Sequence, residues 1–240
     1  MAKMTLDQLV TQLKGAFGPG LRSVVLYGSA AVEANAGGDQ NVLVIVDALD
    51  VMRLEAMAAT VRAWSDAGNP PPFTLTMAEW RRSADVFPME YSDILERHRI
   101  LYGEPPFEGI RIQPGDLRWQ LELETMGKLL HLRQGVLAAG GDGRRQLELL
   151  AMTKSTILVL FRATLRLHGM TPSHDSLEVV RAAASVAGFD PAPFERVIRH
   201  TRKDAVVRTS EAPQLLAEYV RGVEQLVAYL DQHAPEAPTA

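Results

Sequence analysis

Val24-Val25-Leu26-Tyr27-Gly28-Ser29-Ala30-Ala31, followed by Gly37-Gly38-Asp39-Gln40-Asn41-Val42-Leu43-Val44-Ile45-Val46, is the stretch whose reading decides the fold. Its two β-branched runs, 23–28 and 41–46, are bounded by Gly and Asn and read as strands. The first run ends in Gly-Ser and opens a short helix. That puts backbone N–H groups and a hydroxyl at a helix N-terminus, where phosphate oxygens are well received. Asp39 and Asn41 are two residues apart at the start of the second run, so they face alike. The turn and the polar pair are expected to look into one pocket.

Working outward, FTLTM at 73–77 supplies a third strand, and Leu54, Met57, Ala58, Val61 and Trp64 space a helix between the second and third. Leu6, Leu9, Val10, Leu13 and Phe17 make one face of an amphipathic helix over 5–17, which Gly18-Pro19-Gly20 stops. A short helix is predicted over 78–84. The segment MEYSDILERHRILYG at 89–103 admits a strand, a helix, or one followed by the other. After Gly103-Glu104-Pro105-Pro106 the apolar period moves to about 3.6 and stays there. Trp119, Leu123, Met126, Leu130 and Leu137 form one stripe of a long helix, and further helices are expected over 144–167, 175–187, 191–203 and 212–232. The fold class is α+β: a mixed sheet with helices over 1–108, an all-α bundle over 109–234, and a disordered tail over 235–240.

Composition narrows the function. The 240 residues are 47% hydrophobic and 22% charged, an ordinary globular mix that disfavours disorder. The longest aliphatic runs, VLVIV and ILVLF, are too short for a signal peptide or a membrane span. The absence of cysteine excludes disulfides and thiolate chemistry and fits a reducing, cytoplasmic setting. The net charge is −4, and residues 1–109 carry the deficit, with 9 Lys/Arg against 14 Asp/Glu. An acidic balance argues against binding along a nucleic-acid backbone but leaves room for a small phosphorylated ligand.

Gly28-Ser29 followed by Asp39-Gln40-Asn41 on the next strand resembles the nucleotidyltransferase superfamily related to DNA polymerase beta, in particular small bacterial members with a helical domain after the catalytic one. The resemblance covers the first hundred residues. It implies that Gly28 and Ser29 hold a triphosphate and that Asp39 ligates Mg²⁺, with Asn41 in the place of a second aspartate. In that family paired carboxylates hold divalent cations that clamp the triphosphate and activate an attacking hydroxyl. Asparagine ligates through one neutral oxygen, so the metal motif is degenerate. The third strand supplies no carboxylate, and Glu90 and Asp93 are the nearest substitutes by sequence, Glu90 as a catalytic group and Asp93 as a metal ligand. Val32 and Glu33 stand where a basic residue often follows.

Each feature has a plainer reading. Gly28-Ser29 is also an ordinary strand-to-helix turn with Ser29 as N-cap, and 37–41 is good turn material. Glu90 and Asp93 share a segment with Glu96, Arg97 and Arg99 that suits a salt-bridged face. Arg196, Arg199, Arg202, Lys203 and Arg208 form the densest basic cluster. Arg199 and Lys203 could reach a triphosphate, or they could simply complement a helix end.

Two functions follow as expectations. One is transfer of a nucleoside monophosphate from a triphosphate to a hydroxyl on a small molecule or a protein. The other is a catalytically weakened nucleotide-binding, regulatory or antitoxin-like interaction module. Two copies are expected to pair through the helical half, on the general prevalence of two-fold dimers.

Overall fold

The computed structural model describes residues 3–32 and 39–232. Glu33, Gly37, Gly38 and the 235–240 tail, each given a part above, lie outside the described residues. The chain divides into two units, Met1–Gln113 and Pro114–Ala240.

The first unit is built on a four-stranded mixed sheet of order β3-β2-β1-β4. Strand β1 (Leu21–Tyr27) pairs antiparallel with β2 (Asn41–Val46) on one side and with β4 (His98–Gly103) on the other, and β2 pairs parallel with β3 (Phe73–Thr76). Helices cover both faces, which is why β1 and β2 read as unbroken apolar runs rather than alternating ones. Val24, Leu26, Val42, Val44 and Val46 meet Leu9, Leu13 and Phe17 of α1 (Leu6–Phe17) and Met57 and Trp64 of α3 (Val51–Asp66). Between β1 and β2 lies α2 (Ser29–Val32), a single turn.

On the other face Val25, Leu43 and Ile45 meet Trp80 of α4 (Met77–Arg82) and Tyr91 and Ile94 of α5 (Pro88–Glu96), with Tyr27 packed alongside. The segment left open by sequence is therefore helix then strand. Pro88 stands in the first turn of α5, where a missing N–H costs nothing, and Arg97 leaves helical geometry to start β4.

The second unit is helical: α6 (Pro114–Ala139), α7 (Gly143–Leu167), α8 (Ser176–Ala187), α9 (Ala192–Arg202) and α10 (Ala212–Gln232). Helix α7 packs against the other four. Asp142 caps it by accepting from the N–H groups of Arg144 at 2.9 Å and Arg145 at 3.2 Å. Phe161, Phe189, Phe194 and Tyr219 cluster in the bundle with ring centroids 4.5–5.3 Å apart, Phe161 and Phe189 stacked and the other pairs edge-on or tilted.

The apolar stripe of the long helix does not face the bundle core. The stripe Trp119, Leu123, Met126, Leu130 and Leu137 is exposed, and α6 instead buries Leu117, Gln120, Leu121, Thr125, Leu129, Leu132 and Ala139. Periodicity identifies an apolar face without saying what covers it, and this helix has two such faces.

Candidate functional site

Tyr27, the last residue of β1, sits in register with Asn41 on β2 and with His98 on β4. Alternation places Tyr27 and Asn41 on the face that α4 and α5 cover. Gly28 then turns the chain with φ of 79°, a conformation that a side chain disfavours, and its N–H donates to the Arg97 carbonyl at 2.9 Å. A methyl at position 28 would lie 3.4 Å from Asp93 Oδ2 and 3.7 Å from Asn41 Nδ2. The side chains of Asp93 and Asn41 therefore converge over this glycine.

The Tyr27 phenol registers the same convergence. Burial first, then the charges of Glu90, Asp93 and Asp39, push its pKa up to about 12. Three carboxylates expected as site residues thus act on one hydroxyl. Asp39 is solvent-exposed, whereas Glu90 and Asp93 are half-buried. The backbone between Asp39 and Asn41 is fixed from outside, since the Gln40 N–H donates to Asn69 Oδ1 at 2.9 Å.

Helix α5 is braced so that Glu90 and Asp93 hold their places. The Tyr91 ring stacks on Trp80 with centroids 4.0 Å apart, and its hydroxyl donates to the Trp80 carbonyl at 2.6 Å. Trp80 Nε1 in turn donates to the Pro106 carbonyl at 2.6 Å.

Asp93 is held by Arg97, one helical turn on, in an ion pair whose side chains are 23% and 9% exposed. Sequence reasoning placed Arg97 on a salt-bridged face with Glu90 and Asp93 without singling out this pair, and assigned no role to Tyr27. The i, i+4 spacing of Asp93 and Arg97 was the available signal for the first, and the burial parity of β1 for the second.

The remaining expected residues behave differently. Ser29 is exposed and opens only the one-turn α2, whose dipole is correspondingly small. Arg199 and Lys203 belong to the helical unit. Arg199 pairs with Glu195 at 3.5 Å, its neighbours Arg196 and Arg202 pair with Glu211 and Asp175, and Lys203 is the left-handed C-cap of α9 with φ of 66°.

Among the described residues no three His, Asp or Glu side chains gather as a metal-holding group. With Asn41 neutral and Asp93 committed to Arg97, the residues present do not make the resident metal centre that the resemblance implies. Nor is any helix among the described residues long and apolar enough to cross a membrane. The chain matches no protein-family model and no curated protein.

Proposed function

We propose that the N-terminal unit binds a nucleoside triphosphate at the Tyr27–Gly28 turn, as a catalytically weakened or regulatory module of nucleotidyltransferase-like descent. The observation that carries this reading is the meeting of Asp93 and Asn41 over Gly28, with Asp93 already neutralised by Arg97. Asp39 and Glu90, whose charges Arg97 does not offset, would repel a bare triphosphate. Mg²⁺ needs only one or two carboxylates beside the phosphates it accompanies, so the ligand that fits is a nucleotide bringing its own cation. Calorimetry with each of the four triphosphates, with and without Mg²⁺, tests this. Binding that requires Mg²⁺ and is lost in Asp39→Asn supports it. No binding in any condition overturns it.

A transferase reading is the alternative, and the geometry that favours it is the approach of Asp93 Oδ2 and Asn41 Nδ2 to the Gly28 turn. Radiolabel transfer from a triphosphate to a small-molecule or protein hydroxyl would establish it over the binding module. Silence with all four triphosphates, where calorimetry does show binding, leaves the module.

A further inference from the structure

Helix α6 has apolar residues on two opposite faces, and the bundle covers one. The other carries Trp119 (63% exposed), Leu123 (57%), Met126 (39%), Leu130 (50%) and Leu137 (83%). Their spacing alternates four and three residues, with Arg133 at the remaining position, which is the seam of a two-stranded coiled coil. A stripe on an isolated surface helix needs no such regularity, whereas a straight packing against another long helix does. The seam runs about 27 Å at 1.5 Å per residue.

A glycine beside the seam points the same way. Within the bundle helices, Gly135 faces Leu149 and Gly222 faces Phe194, each so closely that a methyl would lie 2.4–2.5 Å from the neighbouring side chain. Those two have a packing reason. Gly127, next to Met126 in the middle of α6, has nothing within 4 Å of where a methyl would be. A mid-helix glycine costs about 1 kcal/mol relative to alanine, and no contact among the described residues offsets that cost. Close approach of a second helix would.

We propose that α6 pairs antiparallel with α6 of a second copy, about a two-fold axis near position 128. This register stacks Trp119 on the partner's Leu137 and Met126 on the partner's Leu130, and it brings Gly127 of both copies beside the axis. Charge selects the direction. A parallel pair would bury Arg133 against the partner's Arg133, whereas the antiparallel pair sets it opposite the partner's Leu123 with the partner's Glu122 adjacent on the same flank. Arg133 and Glu122 already belong to ion pairs on that flank, with Glu224 and Arg118. The five apolar side chains offer on the order of 500 Å² per copy, and their polar flanks bring the pair toward the roughly 800 Å² per partner of a standard interface. An isologous helix pair closes on itself and forms a dimer, not a filament.

Sedimentation of the full chain across a concentration series tests the proposal. The parent is expected to dimerise in the micromolar range, and Leu130→Glu, which places two like charges at the axis, is expected to weaken the dimer about 100-fold or more, with an unchanged circular dichroism spectrum and, at concentrations where the parent is itself monomeric, an unchanged unfolding midpoint. Because the chain has no cysteine, direction can be read by oxidation. Trp119→Cys mixed with Leu137→Cys should give a crosslinked heterodimer, and neither variant alone should crosslink. A parent that stays monomeric, a dimer that survives Leu130→Glu, or crosslinking of Trp119→Cys with itself would each overturn the proposal. None of these readouts depends on nucleotide binding by the N-terminal unit.

Discussion

Arg97 touches the candidate site twice: its guanidinium pairs with Asp93 one helical turn back, and its carbonyl accepts the N–H of Gly28 at 2.9 Å. The residue that ends α5 thereby fixes both the turn and the carboxylate facing it. In a metal-dependent transferase the expected third carboxylate would be free to meet a cation. Here Asp93 is instead paired with the buried Arg97 guanidinium.

Replacing this internal cation is therefore the most direct probe of the site. Arg97→Met leaves Asp93 half-buried without its counter-charge, and is expected to cost about 1–3 kcal/mol in urea denaturation, less than for a fully buried pair because Asp93 keeps some access to water. Adding Asp93→Asn should recover part of the loss, which a double-mutant cycle measures. Mg²⁺ with a triphosphate should raise the midpoint of Arg97→Met more than that of the parent, since the released carboxylate can then share the cation.

Two glycines of the first unit separate a site role from a structural one. At Gly28 alanine meets ordinary contact distances, and only the left-handed backbone objects, for about 1–2 kcal/mol. At Gly103, with φ of 77°, a methyl would lie 1.9 Å from the Arg22 carbonyl oxygen of the neighbouring strand, so β1 and β4 must separate. Gly103→Ala should cost about 3 kcal/mol or more. Denaturation midpoints order the two, and calorimetry on the folded fraction should show nucleotide binding impaired in Gly28→Ala and retained in Gly103→Ala.

What the sequence discloses and what it hides follow one pattern. Runs such as Val42–Val46 announce their strand because both faces of the sheet are covered, and Leu6, Leu9, Val10, Leu13 and Phe17 announce the first helix by their spacing before Gly18-Pro19-Gly20. The 89–103 segment stayed open because its apolar residues fit either period and the change of structure falls at Glu96–Arg97, where no Gly or Pro marks it. On α6 the seam is more regular than the buried face, which includes Gln120 and Thr125, so periodicity picked the exposed side. The strand-to-helix turn at Gly28-Ser29 was legible from its motif. The pairing that decides Asp93 needed the chain to place Arg97 beneath it.

The Tyr27 phenol gives the site a pH signature. An unfolded tyrosine releases its proton near 10, whereas the folded one holds it to about 12, so between those values the native state binds more protons than the unfolded state. Stability should therefore fall as pH rises from about 10 to 12, and level off above that. Tyr27→Phe should flatten this part of the curve. Tyr91 and Tyr219, also pushed up by burial, keep their share of the slope. Glu90→Gln removes the strongest of the charges acting on Tyr27, and should bring its tyrosinate absorbance transition to lower pH without abolishing the shift, because burial contributes more than any charge.

The brace under α5 predicts how stability and binding separate. Tyr91→Phe keeps the stack on Trp80 but removes the donor to the buried Trp80 carbonyl, for about 1–2 kcal/mol. Trp80→Phe removes the donor to Pro106 and leaves a cavity in the sheet face where Trp80 is fully buried, for about 2–4 kcal/mol. Both changes loosen the helix that carries Glu90 and Asp93, while neither touches the turn. Nucleotide affinity of the folded protein should then fall several-fold in both, and by more in Trp80→Phe. If affinity were unchanged in both while stability dropped as stated, Glu90 and Asp93 would not contribute to the binding site, and binding would rest on the turn and Asp39 alone.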